Sequence, residues 1–254
     1  MSTEHSFNSQ ESMKTAMSLK MDPEHRPGIL KWTIATIITP LAASLLCANL
    51  YVALWYARLA ATGTPHNGAP PLEVVQRAVM VTSSVGLWLT VGLWWWLNRR
   101  RDSFATLFNT RANTWLKDAG LGLVLGFGWV SVYGLIGWPS FSAMFRLDWA
   151  KLASIPASVS AGFCEEFLFR GFLILLLARA GKSPGVRLLW SSLAFGLAHL
   201  LWGPVGMLFT ALLGASFAAV TLWRRNIWAA VVAHTFLNLC IEPALFEKAL
   251  TYQR

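Results

Sequence analysis

In the stretch Ala161-Gly-Phe-Cys-Glu-Glu-Phe-Leu-Phe-Arg-Gly-Phe172, the charged side chains Glu165, Glu166 and Arg170 interrupt a run that is otherwise uncharged from Ala157 to Ala178. That run of about 22 residues is long enough to cross the ~30 Å hydrocarbon core of a bilayer. A charge at that depth costs roughly 2.5–3.5 kcal/mol on insertion scales, so three in one helix need a reason. The stretch predicts a membrane-spanning helix with a polar site inside it.

Helical spacing divides these three side chains. Glu166 and Arg170 are four residues apart, so they share a helix face and can pair. A buried guanidinium keeps its charge and needs such a partner. Glu165 lies about 100° around the helix from Glu166 and remains available as a base. The alternative, that all three only hold helices together, stays open at this point.

Composition sets the class of protein. The chain has 254 residues, of which 55% are hydrophobic and 13% charged. Soluble domains carry about 25% charged residues, so we expect an all-α, polytopic membrane protein. We attribute the net charge of +9 to membrane orientation and anionic lipid, and expect no nucleic-acid partner. The three cysteines lie in apolar runs without a CxxC pair, which argues against a disulfide framework or a thiolate metal site.

Along the chain, the polar residues 1–28 predict a disordered cytoplasmic tail, and residues 29–254 a single membrane domain. Lys and Arg are more frequent on the side of the N-terminus, which places that terminus in the cytoplasm. Trp94, Trp95 and Trp96 lie beside three arginines and predict an interfacial anchor. The domain holds seven predicted apolar spans, at Trp32–Tyr56, Ala78–Leu97, Ala119–Trp138, Ala157–Ala178, Leu188–Trp202, Pro204–Trp223 and Ile227–Phe246.

Two histidines lie inside apolar runs. Phe195 precedes His199 by four residues, and Asn238 follows His234 by four. Ionisable groups within a membrane face a bundle interior or a wet cavity, so we expect both histidines to meet Glu165. A carboxylate with a histidine can deprotonate a water, and a histidine with an amide can donate hydrogen bonds to an oxyanion. Together, these groups can catalyse the hydrolysis of a peptide bond.

Other intramembrane proteases fit less well. The sequence has no H-E-x-x-H zinc motif and no G-x-S-x-G elbow. Its four aspartates lie at span ends or in loops, so an aspartyl dyad is unsupported.

Three motifs in order, Glu165-Glu166-x-x-x-Arg170, Phe195-x-x-x-His199 and His234-x-x-x-Asn238, resemble those of the CAAX-type prenyl endopeptidase and bacteriocin-processing family, also called CPBP or Abi. The resemblance covers about residues 157–240 and implies an intramembrane protease of a bacterial cell membrane. It implies that Glu165 and His199 activate the attacking water. It also implies that His234 and Asn238 form the oxyanion site, and that Glu166 and Arg170 support the geometry.

The resemblance leaves the mechanism and the substrate open. The family has been described both as metal-dependent and as glutamate-type. Two histidines and a glutamate can ligate zinc, but their spacing does not demand it, so we favour a metal-free site without a cofactor. The expected partner is a membrane-associated protein or peptide, either lipidated or carrying a C-terminal sorting tail. The predicted site leans toward the outer side, so a prenylated substrate is not assumed.

Two other functions use the same residue types. Buried Glu, Arg and His also build proton-coupled transporters, although the sequence shows no inverted repeat. A non-catalytic binding or immunity protein could keep the family fold.

Overall fold

The computed structural model describes residues 28–63, 72–98, 114–136, 140–147 and 149–251. Residues 1–27 of the predicted tail lie outside this part. The described residues form helices and no strands, as the composition predicts. The helices are α1 (Ile29–Ala61), α2 (Leu72–Asn98), α3 (Trp115–Ile136), α4 (Phe141–Phe145), α5 (Trp149–Glu166), a π-helical segment (Phe167–Leu173), α6 (Ile174–Arg179), α7 (Pro184–Ala198), a 3-10 turn (Leu200–Trp202), α8 (Gly203–Arg224) and α9 (Trp228–Thr251).

Three of these helices, α1, α3 and α8, are long and apolar enough to cross a membrane. Shorter apolar stretches lie at Ser84–Leu97 and Trp228–Ile241. Each predicted apolar run falls largely within a helix, but the count of seven spans remains a prediction. The α-helix that carries Glu165 and Glu166 ends at Glu166 and continues as the π-helical segment, and α7 has only 15 residues. Neither helix is among the three long apolar ones.

Close helix packing surrounds α9. Gly122 and Gly126 of α3 lie against its backbone, and a Cβ at Gly126 would come within 2.9 Å of the Ala233 carbonyl oxygen. Gly162 of α5 approaches the backbone of Thr235 on the opposite side. Small residues at such contacts let backbones approach closely, as in many membrane helix pairs. The helix that carries His234 is therefore held between α3 and α5.

A buried polar cluster fixes the start of α3. Asp118 is fully buried and accepts hydrogen bonds from Arg224 Nε at 2.6 Å and Asn226 Nδ2 at 3.0 Å. Asn226 Oδ1 in turn accepts from the backbone N–H of Trp228 in the first turn of α9. The cluster ties α3 to the turn between α8 and α9, and so sets where α9 begins.

The predicted tryptophan anchor is wrong at one position. Trp95 and Trp96 are more than half exposed, but Trp94 is only 2% exposed. Its ring packs against Trp32 and Phe172, with centroids 4.9 and 4.3 Å away. Adjacent residues point to different faces of a helix, so a triplet cannot lie entirely at one interface.

Candidate active site

The predicted ion pair is present and completely buried. Arg170 Nη1 lies 3.1 Å from Glu166 Oε1, and neither side chain is exposed. Arg170 Nη2 also donates to the carbonyl oxygen of Gly214 at 3.1 Å, and the guanidinium lies 4.2 Å from the Phe195 ring centroid. A Cβ on Gly214 would come 3.0 Å from Arg170 Nη2, so the absence of a side chain there allows this contact.

Arg170 lies in the π-helical segment, whose seven residues are all buried. Single π-helical turns within α-helices occur frequently at functional sites. Here the segment directly follows the two glutamates and packs against α7 and α8. The wider turn is therefore part of the framework that holds Arg170 against Glu166.

His234 joins the same carboxylate from α9. Its Nδ1 lies 2.9 Å from Glu166 Oε1, and its side chain is only 5% exposed. The ring packs between Phe195 and Phe217, at centroid distances of 5.8 and 5.5 Å. Helix periodicity could not predict this bond, because the two residues are 68 positions apart.

His199 stands at the end of α7 instead of inside it. We expected a span over Leu188–Trp202, but the helix runs from Pro184 to Ala198 with Ser183 as its N-cap. Ser and Thr caps followed by Pro are common helix starts, which explains the earlier beginning. His199 Nδ1 lies 2.9 Å from the Phe195 carbonyl oxygen, one turn back on the same face.

Glu165 brings both histidines together. Its Oε2 lies 4.0 Å from His199 Nε2 and 3.9 Å from His234 Nε2. The same oxygen is shielded from solvent and has no hydrogen-bond partner among the described residues. The Glu165 side chain as a whole is 19% exposed, so the cluster is reachable from one side. Side chains from α5, α9 and the end of α7 thus converge on one carboxylate oxygen, as the sequence predicts.

Asn238 lies on α9, one helical turn after His234, and is half-buried. The four-residue spacing puts both side chains on one face of that helix. Its role as an oxyanion donor remains a prediction. Cys164, beside Glu165 in the sequence, is fully buried in the apolar core, which favours a packing role for this thiol.

The distances between the donor atoms can be compared with those of a zinc site. Ligands on tetrahedral zinc with bonds of about 2.0–2.1 Å lie roughly 3.3 Å from one another. The Glu165 oxygen lies 3.9 and 4.0 Å from the two histidine nitrogens. Within the described residues, no group of three or more His, Cys, Asp or Glu is arranged to hold a metal. These separations are longer than those of a zinc site, and a site without a cofactor remains a prediction.

A cavity of about 510 Å³ lies beside the cluster. It runs between α3 and α8 and is lined by Tyr133, Ile136, Trp202, Val205, Gly206, Phe209 and Thr210. Trp202 belongs to this lining and also meets the His199 ring edge-on, with centroids 5.4 Å apart. The cavity lining therefore contacts the cluster through Trp202. No pattern in the sequence pointed to Trp202 or Gly214.

Comparison with known proteins points the same way. No curated protein and no solved structure matches the chain. A family model described as type II CAAX prenyl endopeptidase Rce1-like matches residues 147–240. The matched range includes all three sequence motifs, from Glu165 to Asn238. The part of the chain that carries the candidate site is therefore similar to the Rce1-like type II CAAX prenyl endopeptidase family.

Proposed function

We propose that this membrane protein is an intramembrane endopeptidase that hydrolyses a peptide bond of a membrane-associated protein or peptide. The observation that carries the proposal is the position of Glu165 Oε2, about equally far from His199 Nε2 and His234 Nε2. The similarity of residues 147–240 to the Rce1-like family supports CAAX-type protease activity. Acyl transfer to water needs a base, an orienting group and an oxyanion donor, and this cluster offers each.

In the proposed reaction, Glu165 and His199 share the attacking water. Two acceptor atoms 4.0 Å apart can both lie about 2.8 Å from one water oxygen. The Phe195 carbonyl can only accept a hydrogen bond, so the proton of neutral His199 lies on Nδ1 and Nε2 is free to accept. The water is then oriented by two acceptors and loses a proton as it attacks the substrate carbonyl.

His234 and Asn238 are the proposed donors to the oxyanion that forms. They stand one turn apart on α9, which is held tightly between α3 and α5. Donors that are fixed before the reaction, in a site with little water, stabilise developing charge most effectively. Glu166 and Arg170 are proposed to hold His234 in place. Glu166 is hydrogen-bonded to the His234 ring, and Arg170 donates a hydrogen bond to the Gly214 carbonyl.

The apolar cavity suggests where part of the substrate binds. Its volume of about 510 Å³ exceeds that of one side chain and falls in the range of small-molecule sites. We propose that it receives an apolar portion of the substrate, from either a lipidated protein or a C-terminal sorting tail. Trp202, which contacts both the cavity and His199, would place the neighbouring peptide bond beside the cluster.

We further propose a metal-free, glutamate-type mechanism, which the donor separations, longer than those of a zinc site, support. Seven spans with a cytoplasmic N-terminus, in a bacterial cell membrane, remain our proposal for the topology. In that orientation α7 runs outward and His199 lies near the outer side. Activity that persists after exhaustive chelation would support the metal-free mechanism, and recovery only on adding zinc would overturn it.

The test uses purified full-length protein in liposomes with a library of membrane-anchored peptides, and mass spectrometry to detect cleaved products. Glu165→Gln and His199→Gln should each abolish cleavage. Val159→Ala, on the exposed face of the same helix as Glu165, is the matched control and should cleave normally. Substrate flux without proteolysis would support a transporter instead. Tight substrate binding that Glu165→Gln leaves intact, with no cleavage by any variant, would support a non-catalytic binding protein.

A further inference from the structure

We propose that the hydroxyl of Tyr133 binds a backbone carbonyl of the substrate, and that the segment held there is an apolar, membrane-spanning helix unwound next to the bond that is cut. This assignment rests on the proposed protease function, because it concerns how a substrate reaches the cluster. Binding of such a segment can nevertheless be measured without cleavage.

The cavity beside the cluster lies between α3 and α8, two of the helices that are long and apolar enough to cross a membrane. Ile136 at the end of α3 and Val205 near the start of α8 belong to its wall and are exposed on the outside of the bundle. The exposed apolar surface of a membrane-spanning helix faces lipid. An apolar segment can therefore reach the cavity sideways from the bilayer.

Tyr133 offers an unused hydrogen-bonding group in this wall. Its ring and that of Trp129, one turn earlier on α3, both pack edge-on against Phe209, with centroids 4.8 and 5.4 Å away. Trp129 Nε1 donates to Ser216 Oγ at 2.9 Å, within the protein. The Tyr133 hydroxyl makes no hydrogen bond to the residues that the structure describes, and it is not closed off from solvent. It is therefore free to bind whatever fills the cavity.

The other polar side chains of the wall are less suited to this task. Thr210 Oγ1 lies within hydrogen-bond distance of the carbonyl oxygens of Gly206 and Met207, so its proton is already used. Trp202 is exposed, so its indole N–H can reach water or lipid headgroups. A hydrocarbon chain has no atom that accepts a hydrogen bond, whereas a peptide carbonyl does. The hydroxyl of Tyr133 therefore favours a peptide over a lipid chain as the occupant.

The need for such a donor follows from the state in which a membrane-spanning substrate arrives. Within the bilayer its backbone carbonyls are bonded inside its own helix. The segment has to unwind before one bond can reach Glu165, and unwinding leaves carbonyl oxygens without donors, which is costly in apolar surroundings. Tyr133 supplies a donor at that point. Trp202, which contacts the His199 ring at 5.4 Å, connects this part of the wall to the cluster.

The test compares two synthetic peptides of Leu and Ala, each of about 20 residues and so able to span a bilayer. One has a central Pro, which removes an N–H donor and leaves a carbonyl of its helix unpaired, and the other has Ala in its place. Energy transfer between labelled peptide and full-length Glu165→Gln in liposomes gives the affinities without cleavage. We expect the Pro peptide to bind about ten-fold more tightly, the usual effect of one added hydrogen bond.

Tyr133→Phe, introduced into the same protein, removes only the hydroxyl and should abolish most of this difference. Tyr51→Phe is the matched control, because Tyr51 is also partly buried but lies on α1 and outside the cavity wall; it should keep the difference. On a peptide that the wild-type protein cleaves, Tyr133→Phe should lower kcat/KM by about ten-fold.

Equal affinity of Glu165→Gln for the two peptides would overturn the proposal. A difference that persists in folded Tyr133→Phe would overturn the role of the hydroxyl. Displacement of the Pro peptide by an equal concentration of a lipidated peptide without an apolar segment would place a lipid chain in the cavity and also overturn it. The expected binding without cleavage of any peptide by the wild-type protein would remove the proposed function but leave the binding site. Cleavage without the expected difference in binding would remove this assignment alone.

Discussion

The substitution Glu166→Ala tests how much the buried ion pair with Arg170 contributes to the stability of the fold. In Glu166→Ala, the guanidinium of Arg170 loses its ion pair and keeps its bond to the Gly214 carbonyl and its contacts with aromatic rings. Breaking a fully buried ion pair by deleting one partner costs about 3–5 kcal/mol, because the other charge stays buried. For a domain of this size that corresponds to a fall of roughly 10 °C in Tm.

The double variant Glu166→Ala/Arg170→Met should recover at least half of that loss, because no uncompensated charge remains. His234 loses its acceptor in both variants, so this effect cancels when the two are compared. Thermal unfolding in detergent gives the stabilities, with Val159→Ala as the control for handling. A single variant as stable as the wild-type protein, or a double variant less stable than the single, would refute the reasoning. Peptide cleavage should be lost in both.

Two further predictions concern contacts that hold the cluster in place. Gly214→Ala puts a Cβ 3.0 Å from Arg170 Nη2, so the guanidinium must move by a few tenths of an ångström. We expect kcat to fall by about ten-fold, less than the roughly 10²-fold loss for a displacement of 1 Å, and an unchanged rate would contradict this. Asp118→Asn weakens the cluster with Arg224 and Asn226, so unfolding should be easier by about 1.5–3 kcal/mol while residual folded protein cleaves at a normal rate. Loss of rate without loss of stability in Asp118→Asn would assign Asp118 a role in the site.

Local rules in the sequence predicted much of this arrangement. Long apolar runs marked the helices, and the four-residue spacing of Glu166 and Arg170 predicted their ion pair. The high cost of charge within a membrane predicted that His199 and His234 would meet Glu165. In each case the prediction depended either on residues one turn apart or on the need of buried charges for a partner.

Contacts between distant parts of the chain could not be predicted in this way. The bond from His234 to Glu166 spans 68 positions, and that from Arg170 to the Gly214 carbonyl spans 44. Nothing in a single sequence sets the register in which those helices pack. The π-helical segment also invalidates a helical wheel drawn through Arg170, since its turns are wider than 3.6 residues. The ion pair survives because it needs only proximity.

Glu165 is the proposed base that deprotonates water beside two histidines. The most direct measurement is the single-turnover cleavage rate of Glu165→Gln against the wild-type protein, both treated with chelator and reconstituted in liposomes. We predict a loss of about 10²–10⁴-fold, the usual contribution of a general base, with Tm unchanged. Cleavage by folded Glu165→Gln at the wild-type rate would contradict the account.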